Sequence, residues 1–147
     1  MDEIVRLITP KETNEILDEL NKLYLLESYA QFNYNQQAMR FDGKIVIILN
    51  DLEKKEAKHK FYLSTLLLNA NQKIGDLTEE EMRNVPRKNL DDSIKMDLLS
   101  EDQAIDLYEI AIKKSKSENM KKFLNGIKNE EIQHFQTLKN YIDQIEN

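Results

Sequence analysis

Apolar residues recur along this chain every three or four positions, in four long stripes. Ile16, Leu20, Leu23, Ala30, Tyr34 and Ala38 form the first, and Ile45, Ile48, Leu49, Leu52, Leu63, Leu66 and Leu67 the second. Ile94, Leu98, Ala104, Ile105, Tyr108 and Ile112 form the third; Met120, Leu124, Ile127, Leu138, Tyr141 and Ile145 form the fourth. That spacing gathers side chains on one face of an α-helix, and it predicts helices over residues 10–41, 44–74, 92–114 and 116–145. Thr9, with Pro10 at the first helical position and Glu12 three residues on, predicts a capping box for the first helix. Asp42-Gly43 ends that helix, and Gly75-Asp76 is expected to close the second. The third is expected to start near Asp91 to Ser93, with Ser100 as an alternative start, and Ser115-x-x-Glu118 to cap the last. Residues 75–91 carry Pro86 and a one-turn capping pattern, Thr78-x-x-Glu81. Their length suits a crossover over the end of a bundle rather than a tight hairpin.

Each stripe is interrupted near its middle by residues that do not belong on an apolar face. Glu27 breaks the first, Glu56 and His59 the second, Glu101 the third, and Glu131 and His134 the fourth. The two histidines are the only ones in the chain, and each follows a glutamate by three residues. On a helix such a pair shares a face, so each can offer a carboxylate and an imidazole to one ion. The pattern is an imperfect repeat: Glu27 precedes Tyr34 by seven residues and Glu56 by 29, while Glu101 precedes Tyr108 by seven and Glu131 by 30. Burying a carboxylate is costly unless its charge is compensated, and four converging without a cation would repel and raise their pKa values. Metal binding is the preferred reading, against a buried Glu–His hydrogen-bond network arising twice. The phenols of Tyr34 and Tyr108 are expected to orient the carboxylates, and Asp97, one turn before Glu101, to accept from an imidazole N–H. Glu53, Lys54, Lys55, Lys58, Glu109, Lys128 and Glu130 map to the outward faces.

Composition narrows the classes. The 147 residues suit one domain. Cysteine is absent, which removes disulfides, thiolate ligands and iron–sulfur centres. Three glycines, two prolines and 33% charged residues fit long helices. A net charge of −6 argues against nucleic acid as a partner. No apolar run approaches the roughly 20 residues of a membrane span, and the start Met1-Asp2-Glu3 is acidic, so neither membrane nor secretory signal is expected and the cytoplasm is the expected location.

On these residues the chain resembles the ferritin-like di-iron carboxylate superfamily, most closely its bacterioferritin and rubrerythrin-related members. Leu26-Glu27-Ser28-Tyr29-Ala30 with Tyr34 is similar to the first-helix ligand segment, and Asp97-Leu98-Leu99-Ser100-Glu101 with Ala104, Ile105 and Tyr108 to the third. The resemblance implies an all-α, antiparallel four-helix bundle with a long crossover between helices 2 and 3. It implies two iron ions, with Glu27 and His59 on one, Glu101 and His134 on the other, and Glu56 and Glu131 bridging. Three departures from the pattern matter. Ala57 stands where haem-binding bacterioferritins have methionine, so no haem is expected. Ala104 stands where rubrerythrins place an extra glutamate, and no cysteine is present for their second iron domain. About 13 residues follow His134, too few for the short fifth helix of a storage shell, so a shell is not expected.

The expected function is oxidation of Fe(II) by O2 or peroxide, in iron handling or protection from oxidative stress. A di-iron oxygenase or hydroxylase acting on an organic substrate is the alternative, with a non-catalytic metal-binding protein as a third. The same ligands suit manganese as well as iron. A homo-oligomer, dimer or larger, is expected.

Overall fold

A computed structural model describes residues 2–146, and among them the chain is helical with no strand. The elements are α1 (Asp2–Leu7), α2 (Pro10–Glu15), α3 (Leu17–Arg40), α4 (Lys44–Asn69), α5 (Glu79–Arg83), α6 (Leu90–Lys114) and α7 (Glu118–Glu146). None of these helices is long and apolar enough to cross a membrane.

The helix ends follow local chemistry, with four departures from expectation. Thr9 and Glu12 form the expected capping box, but the helix they start stops at Ile16, whose φ of −129° and ψ of 37° separate α2 from α3. Helix α4 ends at Asn69 instead of near Gly75: Asn71 takes φ 60°, its N–H bonds the Leu68 carbonyl, and the N–H of Gln72 reaches the Leu67 carbonyl at 2.9 Å. That is a Schellman termination, in which asparagine fills the left-handed position more usually held by glycine. Helix α6 begins at Leu90, slightly before the expected start, because the Asn89 side chain accepts from the Asp92 N–H; the alternative start at Ser100 is ruled out. The cap of α7 is Ser117, whose Oγ accepts from the Met120 N–H, while Ser115 instead closes α6. The short α1 was not foreseen; it packs on α4 and α7 and buries Val5.

Helix α3 packs on α4 and on α6, and α7 packs on α6 and on α4. The contacts that join them have opposed numbering: Glu27 meets Tyr108 while Tyr34 meets Glu101, and Glu56 meets His134 while His59 meets Glu131. These neighbours are therefore antiparallel. The apolar core falls into two clusters. One holds Leu20 and Leu23 of α3, Leu63, Leu66 and Leu67 of α4, Ala111 of α6, and Phe123, Leu124 and Ile127 of α7. The other holds Tyr34 of α3, Ile45, Leu49 and Leu52 of α4, Ile94 of α6, and Leu138 and Ile142 of α7. Between them each long helix places its glutamate or its Glu-x-x-His pair.

Helix α4 also runs antiparallel to α3, its start packing with Tyr34 and its end with Leu20 and Leu23, so α4 and α6 run in the same direction and the chain between them must return along the full length of the helices. Helix α6 alone rises about 37 Å at 1.5 Å per residue, beyond the reach of a tight hairpin. Residues 70–89 make that journey along α3 rather than over the end as expected: Tyr24 donates to Asp76 at 2.8 Å near one end, and Arg40 donates to the Lys88 carbonyl at 3.1 Å near the other. Midway, α5 carries the expected Thr78–Glu81 capping box.

Candidate metal centre

Six side chains from four helices converge in the gap between the two apolar clusters. Glu27, Glu56, His59, Glu101, Glu131 and His134 are all buried, none exposing more than 2% of its surface. They form two overlapping groups, Glu27–Glu56–His59–Glu131 and Glu56–Glu101–Glu131–His134, whose ligand atoms lie within 4.8 Å of one another. These groups can hold metal ions, and Glu56 and Glu131 belong to both.

The two halves mirror each other. His59 Nδ1 lies 2.9 Å from Glu131 Oε1 and 3.4 Å from Glu27 Oε2; His134 Nδ1 lies 2.8 Å from Glu56 Oε1 and 3.6 Å from Glu101 Oε1. The imidazole rings are stacked at 5.8 Å between centroids. Each outer glutamate is tied by a phenol from the opposite half: Tyr108 donates to Glu27 Oε1 at 2.8 Å, and Tyr34 to Glu101 Oε1 at 2.6 Å. Burial, and then the facing Glu27 and Glu101 carboxylates respectively, hold both phenols well above their ordinary pKa, so they remain donors.

What these contacts leave unsatisfied identifies the chemistry of the cavity. Glu27 Oε2, both oxygens of Glu56, Glu101 Oε2, Glu131 Oε1 and the Nδ1 atoms of both histidines are buried without a hydrogen-bond partner. The imidazole and carboxylate atoms are near enough for hydrogen bonds, yet His59 Nδ1 and His134 Nδ1 are not aligned for them. Ligands about 2.1 Å from one ion sit about 3.0–3.4 Å apart at octahedral or tetrahedral angles. The observed imidazole–carboxylate separations, 2.8–3.8 Å, span that range. Orphaned atoms at ligand spacing therefore fit a cation and are costly without one.

The charge balance points the same way. Burial, and then the neighbouring carboxylates, with Glu27 foremost, push Glu56 well above the ordinary carboxyl range, and Glu131 is raised by the same causes. Burial also opposes the Glu27 charge, but the nearby Glu56 carboxyl and His59 imidazole, with the hydrogen bond from Tyr108, outweigh it and hold Glu27 below its ordinary value. Burial opposes a charged His59, yet contacts with Glu130, Glu131 and Glu27 push its pKa up to about 12. A proton on His59 thus occupies part of the role a cation would fill.

Around this centre the sequence reading missed three residues. Glu130, assigned to the outward face, is partly exposed but reaches across from α7 to His59 Nε2 at 2.5 Å, leaving Nδ1 to face the cavity. Asn33 and Gln37, one turn apart on α3, donate to Asp97 Oδ1 at 2.9 and 2.8 Å. Asp97 therefore serves these amides, and the imidazole expected as its donor is not among its partners. Burial raises the Asp97 pKa to about 7, with the two amides pulling the other way. The i, i+4 spacing of Asn33 and Gln37 beside Tyr34 was the available signal; nothing in the order of residues marks Glu130 as facing α4.

Comparison of the chain with protein-family models, curated proteins and solved structures finds no match.

Proposed function

We propose that this chain is a ferritin-like four-helix bundle that binds a pair of iron ions and oxidises Fe(II) with O2 or peroxide. The observation that carries this reading is the overlap of the two ligand groups at Glu56 and Glu131. Two separate sites would need separate ligands, whereas shared carboxylates hold two ions close together. Glu27 and His59 would complete one position, and Glu101 and His134 the other. Four carboxylates balance two Fe(II) ions, which allows the assembly to sit in a low-dielectric core.

Imidazole and carboxylate ligands suit Fe(II), and paired one-electron donors match a two-electron oxidant. Two Fe(II) lose one electron each; O2 takes both with two protons to give hydrogen peroxide, or peroxide takes them with two protons to give two waters. The chain's own part is positional. Tyr34 and Tyr108 fix one oxygen of each outer glutamate and leave the other free, and Glu130 holds His59 with Nδ1 inward. The organic-substrate alternative draws no support from the two clefts beside α3, of about 330 and 320 Å³, because none of the six residues lines either.

The test is metal analysis of the purified chain, followed by optical spectra during aerobic addition of Fe(II). Two ions per chain, and oxidation faster than in buffer alone, are expected. One ion or none in metal-replete protein would overturn the paired site; two ions without accelerated oxidation would overturn the oxidase.

A further inference from the structure

The chain has four arginines, and three of them, Arg40, Arg83 and Arg87, line one cleft between the crossover and the outer face of α3. The cleft has a volume of about 320 Å³, at the lower end of ligand pockets. No carboxylate lines it, although 27 of the 147 residues are acidic. None of the three guanidinium groups has an ion-pair partner among the described residues. Arg40 is anchored by donating to the Lys88 carbonyl at 3.1 Å, which ties the crossover to α3 beside the cleft. Gln37 also lines it, with its amide turned inward to donate to Asp97 at 2.8 Å.

Asp97, bonded to Asn33 and Gln37 of the cleft, offsets part of the Arg40 charge, but no carboxylate lies within ion-pair distance of any of the three guanidinium groups, which suits the cleft to an anion. We propose that this cleft binds a phosphate group, and that the site is separate from the metal centre. Guanidinium forks match phosphate oxygens in pairs, and a phosphate presents enough oxygens and charge to engage three arginines, which a single carboxylate does not. Phe32 and Pro86 supply an apolar wall beside the arginines, suited to an organic body. The shared chemistry is the phosphate, whether free or carried on a small organic molecule.

The experiment is calorimetric titration of the metal-free 147-residue chain at constant ionic strength, with inorganic phosphate, adenosine monophosphate and acetate as probes. Because no metal is present, the result is independent of the iron-oxidation reading. Saturable binding of one phosphate or one adenosine monophosphate per chain is expected, with acetate much weaker. Arg83→Ala with Arg87→Ala should weaken binding at least about tenfold, and the corresponding lysine pair should weaken it less, since it keeps the charge and loses the forks. Lys54→Ala with Lys55→Ala removes the same charge elsewhere and should leave binding unchanged. Tighter binding of the nucleotide than of inorganic phosphate assigns the apolar wall to an organic body; equal affinity assigns free phosphate, and both support the site. Absence of saturable binding, equal binding of acetate, no loss in the arginine pair, or an equal loss in the lysine control would each overturn it.

Discussion

Glu130 and Glu131 are adjacent in sequence and act on His59 from opposite sides. Glu131 faces Nδ1 inside the cavity, while Glu130 holds Nε2 from a partly exposed position. A carboxylate on the outer nitrogen fixes the orientation of a ligating imidazole and raises its basicity. Glu130→Ala should therefore keep two ions per chain but weaken their binding about ten- to hundredfold, measured by competition with a chromophoric chelator. Loss of one ion altogether would make Glu130 a ligand. By contrast, Glu56→Ala and Glu131→Ala should each disturb both ions, because each residue belongs to both groups. His59→Ala and Glu27→Ala should each slow aerobic Fe(II) oxidation, and combining them should cost less than the sum, since groups acting as a unit are not additive. Wild-type rates in the double variant would disprove the oxidase.

Element ends depend on a few residues whose side chains or backbone freedom satisfy otherwise unpaired groups. Asn71 shows this most directly, with φ at 60° and the Schellman bonds of α4 built around it. Asn71→Gly should be close to neutral, whereas Asn71→Val should destabilise by about 1–2 kcal/mol, because a β-branched residue is strained there. Chemical denaturation of the two variants checks the contrast, and equal stability would remove Asn71 as the determinant of that helix end. The sequence signals for helix ends succeeded where the cap is a side chain within the same turn, as at Thr9 and Thr78. They failed where two serines competed for one cap, and where asparagine replaced the expected glycine. Local pattern offers both choices; the path of the following chain selects one.

For the whole molecule, the site makes stability depend on pH. In the metal-free protein Glu56, Glu131, Asp97 and His59 all have folded-state pKa values above their ordinary ones. Their stabilising contribution is complete below the unfolded values, and is lost as pH rises towards the folded ones. Glu27 has the opposite sign, and its contribution fades only in acid, below its ordinary range. Between about pH 5 and 8 the metal-free chain should therefore lose thermal stability as pH rises. A metal held by these groups would take the place of the protons and favour the folded state, so the loaded form should be more stable and much less pH-dependent over that window. Thermal unfolding of both forms across it is the measurement. Parallel profiles would mean that these groups do not share one buried metal site.

The order of residues by itself determined which side chains face inward. Helical periodicity is local, so the four stripes and their interruptions at Glu27, Glu56, His59, Glu101, Glu131 and His134 could be read without a partner in view, and all six are buried together. Only the tertiary structure decided which inward groups meet. Tyr34 lies seven residues after Glu27 on its own helix, yet it bonds Glu101, because two turns separate a pair within one helix while an antiparallel neighbour is in reach. For the same reason Asp97 finds Asn33 and Gln37, and Glu130 finds His59. The lengthwise course of residues 70–89 follows from α4 and α6 running the same way, a relation that no local pattern encodes.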